Sequence, residues 1–160
     1  MEKNEDFNFK QIPGESLDKN RPKAKEKPLI SIITAYYNCA KYIEQTANSI
    51  LNQTFPYWEW IIMNDGSTEK GTKDLLDKIE KMDERIHVYN QKNAGRLEAR
   101  DNAIKKANCD LVFILDSDDM IDKTYLECAY FTMKTNPDAT WAYGDTVTFD
   151  GQNFLWKKVF

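Results

Sequence analysis

The sequence has few of the residues from which thiol and histidine metal sites are built. Its 160 residues include three cysteines, Cys39, Cys109 and Cys128, and one histidine, His87. Their spacing matches no zinc pattern, and an odd number of cysteines cannot all pair in disulfides. We therefore expect buried, reduced thiols, and neither a Cys/His metal centre nor thiol catalysis.

Long apolar runs and an excess of positive charge are also lacking. No apolar run approaches the roughly 20 residues needed to span a bilayer, and the polar first thirty residues do not resemble a signal peptide. The formal net charge of −4 argues against a chain that covers nucleic acid phosphates. We therefore expect a cytoplasmic protein that binds no nucleic acid, with one domain.

Residues 1–27 form a polar segment interrupted by Pro13, Gly14 and Pro22. No helical or strand period runs through it, so we predict a flexible arm. The basic residues at its end are Lys19, Arg21, Lys23, Lys25 and Lys27. Such a cluster can attach a protein peripherally to the inner face of a membrane or bind a partner, and the alternative is a solvated linker.

From residue 28 onward, apolar runs typical of buried strands alternate with amphipathic segments. The predicted strands are 29–35, 58–64, 85–89, 111–115 and 140–149, and the predicted helices are 40–53, 72–82, 95–107 and 123–135. Because 111–115 is the strongest strand pattern, we expect it to be buried. The alternation predicts an α/β fold with a mostly parallel central sheet and helices on both faces.

Polar or turn-forming residues follow each of the four predicted parallel strands. In chain order these loops are Ala35-Tyr36-Tyr37-Asn38, Asn64-Asp65-Gly66-Ser67-Thr68, Asn93-Ala94-Gly95-Arg96 and Asp116-Ser117-Asp118-Asp119. All four belong at the carboxyl edge of the sheet, which is where open α/β sheets bind ligands. We therefore expect a binding site at this edge.

The last of these loops places three carboxylates, Asp116, Asp118 and Asp119, within four residues. Like charges this close repel each other, and a divalent cation such as Mg²⁺ or Mn²⁺ removes that cost. Such a cation can also hold a diphosphate. The alternative is a set of acids near the positive end of the next helix.

Five residues of the other loops and the third helix are further candidates. Asp65 can accept hydrogen bonds from a base edge or a ribose, or it can cap a helix. Gly95 allows close approach to a ligand, or it starts a helix. Arg100 can reach a phosphate or pair with an acid. Tyr36 and Tyr37 can stack on a base, or they belong to the core.

An ordered set of motifs resembles the family-two inverting glycosyltransferases of GT-A fold. The motifs are Ser31-Ile32-Ile33, Tyr37-Asn38, Ser49-Ile50-Leu51-Asn52-Gln53-Thr54, Asn64-Asp65-Gly66-Ser67-Thr68, Asn93-Ala94-Gly95 with Ala99-Arg100, Leu115-Asp116-Ser117-Asp118-Asp119 and Tyr143-Gly144-Asp145. The resemblance implies that residues 28–160 form a nucleotide-sugar-binding GT-A domain whose acceptor-binding part is truncated or missing. It says nothing about which sugar is used.

The resemblance also implies a role for individual residues. Ala35, Tyr36 and Tyr37 would surround the nucleotide of a sugar donor, often UDP-linked, and Asp65 would recognise the base. Asp116 and Asp118, with Ser117 between them, would meet the ribose and the diphosphate bound to Mn²⁺ or Mg²⁺. Asp118 is the expected direct metal ligand. The implied reaction is sugar transfer to an unidentified acceptor hydroxyl with inversion, in polysaccharide or glycoconjugate biosynthesis.

The sequence departs from the family pattern at two positions and lacks one catalytic group. The family often has Pro-Thr where this chain has Ala35-Tyr36, and Asn where it has Asp101. Family members carry a carboxylate general base well beyond the Asp-x-Asp motif. No acid before Phe160 is assigned that role, so we expect the base beyond Phe160 and a fragment that is inactive alone.

Two other functions fit parts of the pattern. A haloacid-dehalogenase-like phosphatase also has Asp-x-Asp after an apolar strand, with the first Asp as nucleophile. It normally has Thr or Val where this chain has Met120, and it has the motif on its first strand. A non-catalytic nucleotide-binding fragment is the other alternative.

Overall fold

The computed structural model describes residues 27–148 and the backbone of residues 154–156. The predicted arm, 1–27, lies outside the described residues except for Lys27. The predicted domain, 28–160, is described without a break only as far as Thr148. Its boundaries therefore stay a prediction.

Strands and helices follow one another in the predicted order. The elements are β1 (Ile30–Tyr36), α1 (Ile43–Leu51), β2 (Trp58–Asp65), α2 (Thr72–Glu80), β3 (Ile86–Gln91), α3 (Arg96–Ile104), β4 (Val112–Ile114), α4 (Tyr125–Thr135), β5 (Thr146–Thr148) and β6 (Phe154–Trp156). In the described part of the chain, no helix is both long and apolar enough to cross a membrane.

Four parallel strands form the central sheet in the order β3-β2-β1-β4. Because crossovers between parallel strands are right-handed, a chain that reverses direction across the sheet must change faces. The core packing agrees with this rule, since α1 and α2 share a cluster on one face while α3 packs on the other. The reversal lies between β1 and β4. Separately, β5 and β6 form an antiparallel pair.

The hydrophobic core is divided between the two faces of the sheet. Alternate strand residues such as Ile32 and Trp60 pack against α1, α2 and α4 on the larger side. On the other face, Ile33, Ile61 and Met63 pack against Ala99 and Ala103 of α3. Helices on both faces confirm the predicted fold class. The two alanines have small side chains, which lets α3 lie close to the sheet.

The prediction that residues 111–115 are buried was wrong for most of this segment. Only Leu115 is buried; Val112 and Phe113 are half-buried, and Ile114 is 40% exposed. The reason is the position of β4, which lies at the edge of the sheet and pairs only with β1. An apolar run reveals that a strand is present, but it does not reveal the order of strands in the sheet.

The prediction of buried thiols also needs correction. All three cysteines are free, but Cys39 and Cys109 are only half-buried and Cys128 is exposed. Cys128 lies on α4, one face of which packs on the core through Leu126 while the other meets solvent. A cysteine on the outer face of an amphipathic helix stays accessible.

Candidate functional site

The polar loops gather at the carboxyl edge of the sheet, beside the point where its strand order reverses. The loops after β1 and β4 leave neighbouring strands, and the loop after β2 leaves the strand on the other side of β1. In open α/β sheets, the crevice at such a reversal is where ligands bind. The topology thus brings together the loops that the sequence marks as polar.

The backbone of the acidic loop is fixed to β1 and α1. Leu115 N donates to Ile33 O at 3.0 Å, and Thr34 Oγ1 donates to Leu115 O at 2.8 Å. Two residues after Leu115, the carbonyl of buried Ser117 accepts a hydrogen bond from Thr46 Oγ1 of α1 at 3.0 Å. These bonds hold the loop backbone on both sides of Asp116. The carboxylates of the loop therefore project from a fixed backbone.

The three carboxylates of this loop have different environments. Asp116 forms an ion pair with Arg100 of α3, whose Nε is buried without a hydrogen-bond partner. Asp118 is exposed and accepts no hydrogen bond from the described residues. The pKa of Asp119 is raised, first because its surroundings exclude water from the carboxyl and then because Asp118 and Asp116 add negative charge. The loop therefore favours a cation at its open side.

The described residues contain no group of three or more His, Cys, Asp or Glu side chains placed to hold a metal ion. Mg²⁺ is commonly bound through one or two carboxylates together with substrate phosphates and water. The unengaged carboxylate of Asp118 and the partly engaged one of Asp116 fit that mode. The residues thus fit a metal held jointly with a bound diphosphate.

Asp65 is committed to contacts within the protein. It is 3% exposed; its Oδ1 accepts from Gln91 Nε2 at 2.9 Å and Ala94 N at 2.8 Å, and its Oδ2 accepts from Gly95 N at 2.9 Å. The capping alternative expected bonds to the start of the next helix, α2, but the carboxylate serves the start of α3. Asp65 joins β2 to the loop after β3.

Two glycines shape the same region. Gly66 has φ +65°, and a Cβ at this position would lie 2.7 Å from Asn93 N, so the loops after β2 and β3 touch through it. Gly95 has φ +93°, and a Cβ there would meet nothing within 4 Å. Gly95 is the residue before α3, so it does start a helix, and the space beside it is open to a ligand.

The predicted site residues Ala35 and Tyr36, at the end of β1, and Tyr37, just after it, face different surroundings. Ala35 packs against the α3 cluster, and Tyr36 is fully buried in the opposite cluster, with its hydroxyl beside Thr72 but without a well-formed hydrogen bond. Only the backbone of Tyr36 therefore reaches the edge. Tyr37 is 48% exposed and is the aromatic side chain here that is available for stacking.

Asn38 is a residue of this edge to which the sequence assigned no role. Its φ is +47°, and its side chain bonds to the loop after β2. The sequence could have pointed to Asn38 only through its residue type. Asparagine adopts positive φ more readily than most other residues with a side chain, and it often stabilises turns. That signal does not reveal which loop lies opposite.

The described part of the chain also has cavities away from the polar loops. Three cavities of about 340 to 440 Å³ lie away from the acidic loop, two at the amino-terminal end of the sheet near Asn108 and one between β4, α4 and residues 140–144. Their linings include none of the predicted donor-site residues. The assignment of the site therefore rests on the chemistry of the loops.

Comparison with known sequences matches most of the chain to one family. The sequence profile described as Glycosyl transferase family 2 matches residues 31–159. Among curated relatives, the provisionally assigned teichuronic acid biosynthesis glycosyltransferase TuaG of Bacillus subtilis (strain 168) is 50% identical over 102 residues. That alignment covers 63% of this chain and 40% of TuaG.

Solved structures give a similar result. S. aureus TarS 1–349 in complex with UDP-GlcNAc has a TM-score of 0.63 and 30% identity, over 68% of this chain and 32% of that chain. The mannosyltransferase PcManGT from Pyrobaculum calidifontis, in complex with GDP-Man and Mn²⁺, has a TM-score of 0.61 over 70% of this chain and 34% of its own. Its identity is 22%, so this likeness shows the fold alone. The chain spans less than half the length of these proteins.

Proposed function

The chain belongs to glycosyltransferase family 2 and has a GT-A fold, and from this premise we propose that it binds a UDP-sugar with Mn²⁺ or Mg²⁺ and supplies the donor site for sugar transfer with inversion. The donor, the metal and the stereochemistry are parts of this proposal. Membership of this family argues against the haloacid-dehalogenase-like phosphatase that the Asp-x-Asp motif also suggested.

The observation that carries the proposal is the unpaired Asp118 beside Asp116, at the point where the strand order reverses. An exposed carboxylate on a fixed backbone can complete the coordination of a metal that a diphosphate brings with it. Arg100 already neutralises part of the charge of Asp116. Its guanidinium has five donors, so it can keep that ion pair and still bond to a phosphate oxygen.

The nucleotide would lie over the loops after β1, β2 and β3. Tyr37 offers an exposed ring for the base, and the open space beside Gly95 admits the ligand close to the backbone. Asp65 has one acceptor position beyond its three bonds, which supports a single contact to the base. Ala35 and Tyr36 would contribute backbone only.

Each chemical role follows from these positions. When bound, the metal supplies positive charge that stabilises the departing diphosphate. Asp118 and Asp116 would hold the donor in place, and Arg100 would add a fixed positive charge beside the phosphates. Inversion requires a base that deprotonates the acceptor hydroxyl as it attacks the anomeric carbon from the opposite face. No described residue is assigned that role.

The names of the relatives support a biosynthetic role in polysaccharide assembly. TuaG is named for teichuronic acid biosynthesis, and TarS is described in complexes with UDP and UDP-GlcNAc. We extend these properties to this chain as a proposal, together with a cytoplasmic location at the inner face of the membrane. The basic residues that precede position 28 support the location through attraction to anionic lipids.

Calorimetric titration with UDP in the presence of Mn²⁺ tests the proposed site. We expect wild type to bind and Asp118→Ala to lose at least about tenfold in affinity, because a charge-assisted metal contact is removed. Asp110→Ala is the matched control, since Asp110 is an exposed aspartate before the other end of β4. If neither wild type nor Asp118→Ala binds UDP, the proposed function is wrong.

A further inference from the structure

Asn38 joins two of the polar loops, and we propose that it is a positioning residue of the donor site, which holds the loop after β1 against the loop after β2. The inference deepens the proposed function and rests on it. Asn38 itself need not touch the ligand. Its side chain fixes the backbone that presents Tyr37 on one side and Asp65 on the other.

The contacts of Asn38 converge on three consecutive residues of the second loop. Its Oδ1 accepts from Thr68 N at 2.9 Å and from Glu69 N at 3.0 Å, and its Nδ2 donates to Thr68 Oγ1 at 3.2 Å. Its backbone N donates to Ser67 Oγ at 3.1 Å. A single residue therefore uses both ends of its amide and its own N–H group on the opposite loop.

The backbone of Asn38 is held in a sparsely populated conformation. With φ +47°, it is the one non-glycine residue with positive φ in the part of the chain that the structure describes. Such conformations cost free energy and persist where surrounding contacts enforce them, often at functional sites. Here the enforcing contacts are those to residues 67–69.

These bonds complete a connected ring of loops at the carboxyl edge. Asn38 links the first loop to the second, and Asp65 links β2 to the third loop. Arg100 links α3 to the acidic loop through its ion pair with Asp116. Thr34 links β1 to the start of that loop through its hydrogen bond to Leu115 O. In each link a side chain of one element bonds to a neighbouring element. A shift of one loop should therefore move the others.

The link through Asn38 can be weakened without unfolding the protein. Asn38 is exposed and contributes no side chain to either core cluster. A second bond between the same loops, from Ala40 N to Glu69 Oε2 at 3.2 Å, does not involve Asn38. Loss of the amide should therefore loosen the site far more than it lowers global stability.

Three variants separate positioning from stability. Asn38→Gly removes the amide and keeps the positive φ easy to adopt. Asn38→Asp keeps an oxygen that can accept from both N–H groups. Asn48→Gly, on the exposed side of α1, is the control, because a glycine inside a helix lowers stability without altering any contact of Asn38.

Two measurements decide the proposal. For Asn38→Gly we expect UDP affinity with Mn²⁺ to fall about tenfold, and the amides of Thr68 and Glu69 to exchange about tenfold faster. Asn38→Asp should restore amide protection, and it is scored on exchange alone because its added charge repels the diphosphate. Asn48→Gly should bind UDP as wild type does.

The opposite results are equally clear. Wild-type UDP affinity in Asn38→Gly, or an equal loss of affinity in Asn48→Gly, overturns the positioning role. Unchanged exchange at Thr68 and Glu69 in Asn38→Gly overturns the link itself. If wild type fails to bind UDP, the proposed function fails and the donor role of Asn38 with it, whereas the exchange data still show whether Asn38 joins the two loops.

Discussion

Glu59 is a buried carboxylate on β2, at the amino-terminal end of the sheet and away from the polar loops. It accepts hydrogen bonds from Ser31 Oγ, from Asn108 N at 2.7 Å and from Asn108 Nδ2 at 2.7 Å. Burial alone would raise its pKa. These bonds, with His87 nearby, outweigh burial and lower the pKa below the usual value for a glutamate. Glu59 thus ties the segment before β4 to β1 and β2.

The pKa of Glu59 predicts how stability depends on pH. A carboxyl whose pKa is lower in the folded state stabilises the protein above its unfolded pKa of about 4.3, and this contribution is lost as pH falls through the folded value. At pH 7, Glu59→Gln should lower the free energy of unfolding by about 1–3 kcal/mol. Urea denaturation at pH 7 and at about pH 3.5 measures this difference.

The control for Glu59 is Glu84→Gln, because Glu84 is exposed and has no hydrogen bond in the described part of the chain. We expect this control to unfold as wild type does at both pH values. The difference between Glu59→Gln and wild type should shrink at the lower pH. A difference that stays constant with pH would show that packing, and not the charge of Glu59, stabilises this region.

Single residues also show where prediction from sequence stops. The loop acids and Arg100 were recognisable because charged residues after apolar strands need a partner or a ligand. The bond from Asp65 to Ala94 and Gly95 was not, because it depends on the distance between two loops that are far apart in sequence. Glu59 lies inside an apolar run, which indicated a strand but not the partners of its carboxylate.

At the scale of elements, α3 is the helix whose packing bears most directly on the site. Ala99 and Ala103 pack against Ile33, Ile61 and Met63 on one face of the sheet. Both alanines are fully buried. The helix carries Arg100 between them, so its distance from the sheet sets the distance from Arg100 to the acidic loop. Small side chains at this interface are therefore a requirement of the site as well as of the core.

Enlarging one of these alanines tests that requirement. Ala103→Leu inserts three extra carbon atoms into a packed interface and should lower the free energy of unfolding by about 1–3 kcal/mol. By displacing α3, it should also weaken UDP binding. Denaturant unfolding and calorimetry measure the two effects. Ile104→Leu is the control, since Ile104 is the next residue and is 40% exposed; equal destabilisation by both would contradict the packing explanation.

The elements themselves were largely predictable from sequence. The helix α3 begins at Arg96 and α2 at Thr72, within one residue of their predicted starts, because apolar periodicity marks the buried face of each helix. The start of α1, predicted at residue 40, is Ile43, since residues 38–42 serve loop contacts first. The edge position of β4 was not predictable, because strand order depends on crossovers that periodicity does not encode.

At the scale of the whole molecule, the order of the sheet explains why the site is shared among several loops. With β1 between β2 and β4, the loop after β1 lies between the end of β2, which carries Asp65, and the loop that carries Asp118. A nucleotide lying across this edge would meet Tyr37 and the buried, hydrogen-bonded Asp65 at one end and the more open carboxylates of Asp116 and Asp118 at the other. Only the end near these open carboxylates needs a cation.

This division predicts that the metal dependence of binding belongs to the diphosphate and not to the nucleoside. Because the proposed metal is held jointly by the carboxylates and the diphosphate, Mn²⁺ alone should leave the melting temperature of the protein unchanged. UDP with Mn²⁺, at about 100 times its dissociation constant, should raise it by roughly 5–10 °C. UMP should give a smaller rise, because one phosphate provides fewer metal ligands.

A chelator should then abolish most of the UDP effect and leave the UMP effect almost intact. Thermal unfolding followed by circular dichroism measures all five conditions, with Asp118→Ala as the variant in which UDP and UMP should behave alike. An equal rise for UDP with and without chelator would mean that protein groups alone hold the diphosphate, and Arg100 would then be the first residue to substitute.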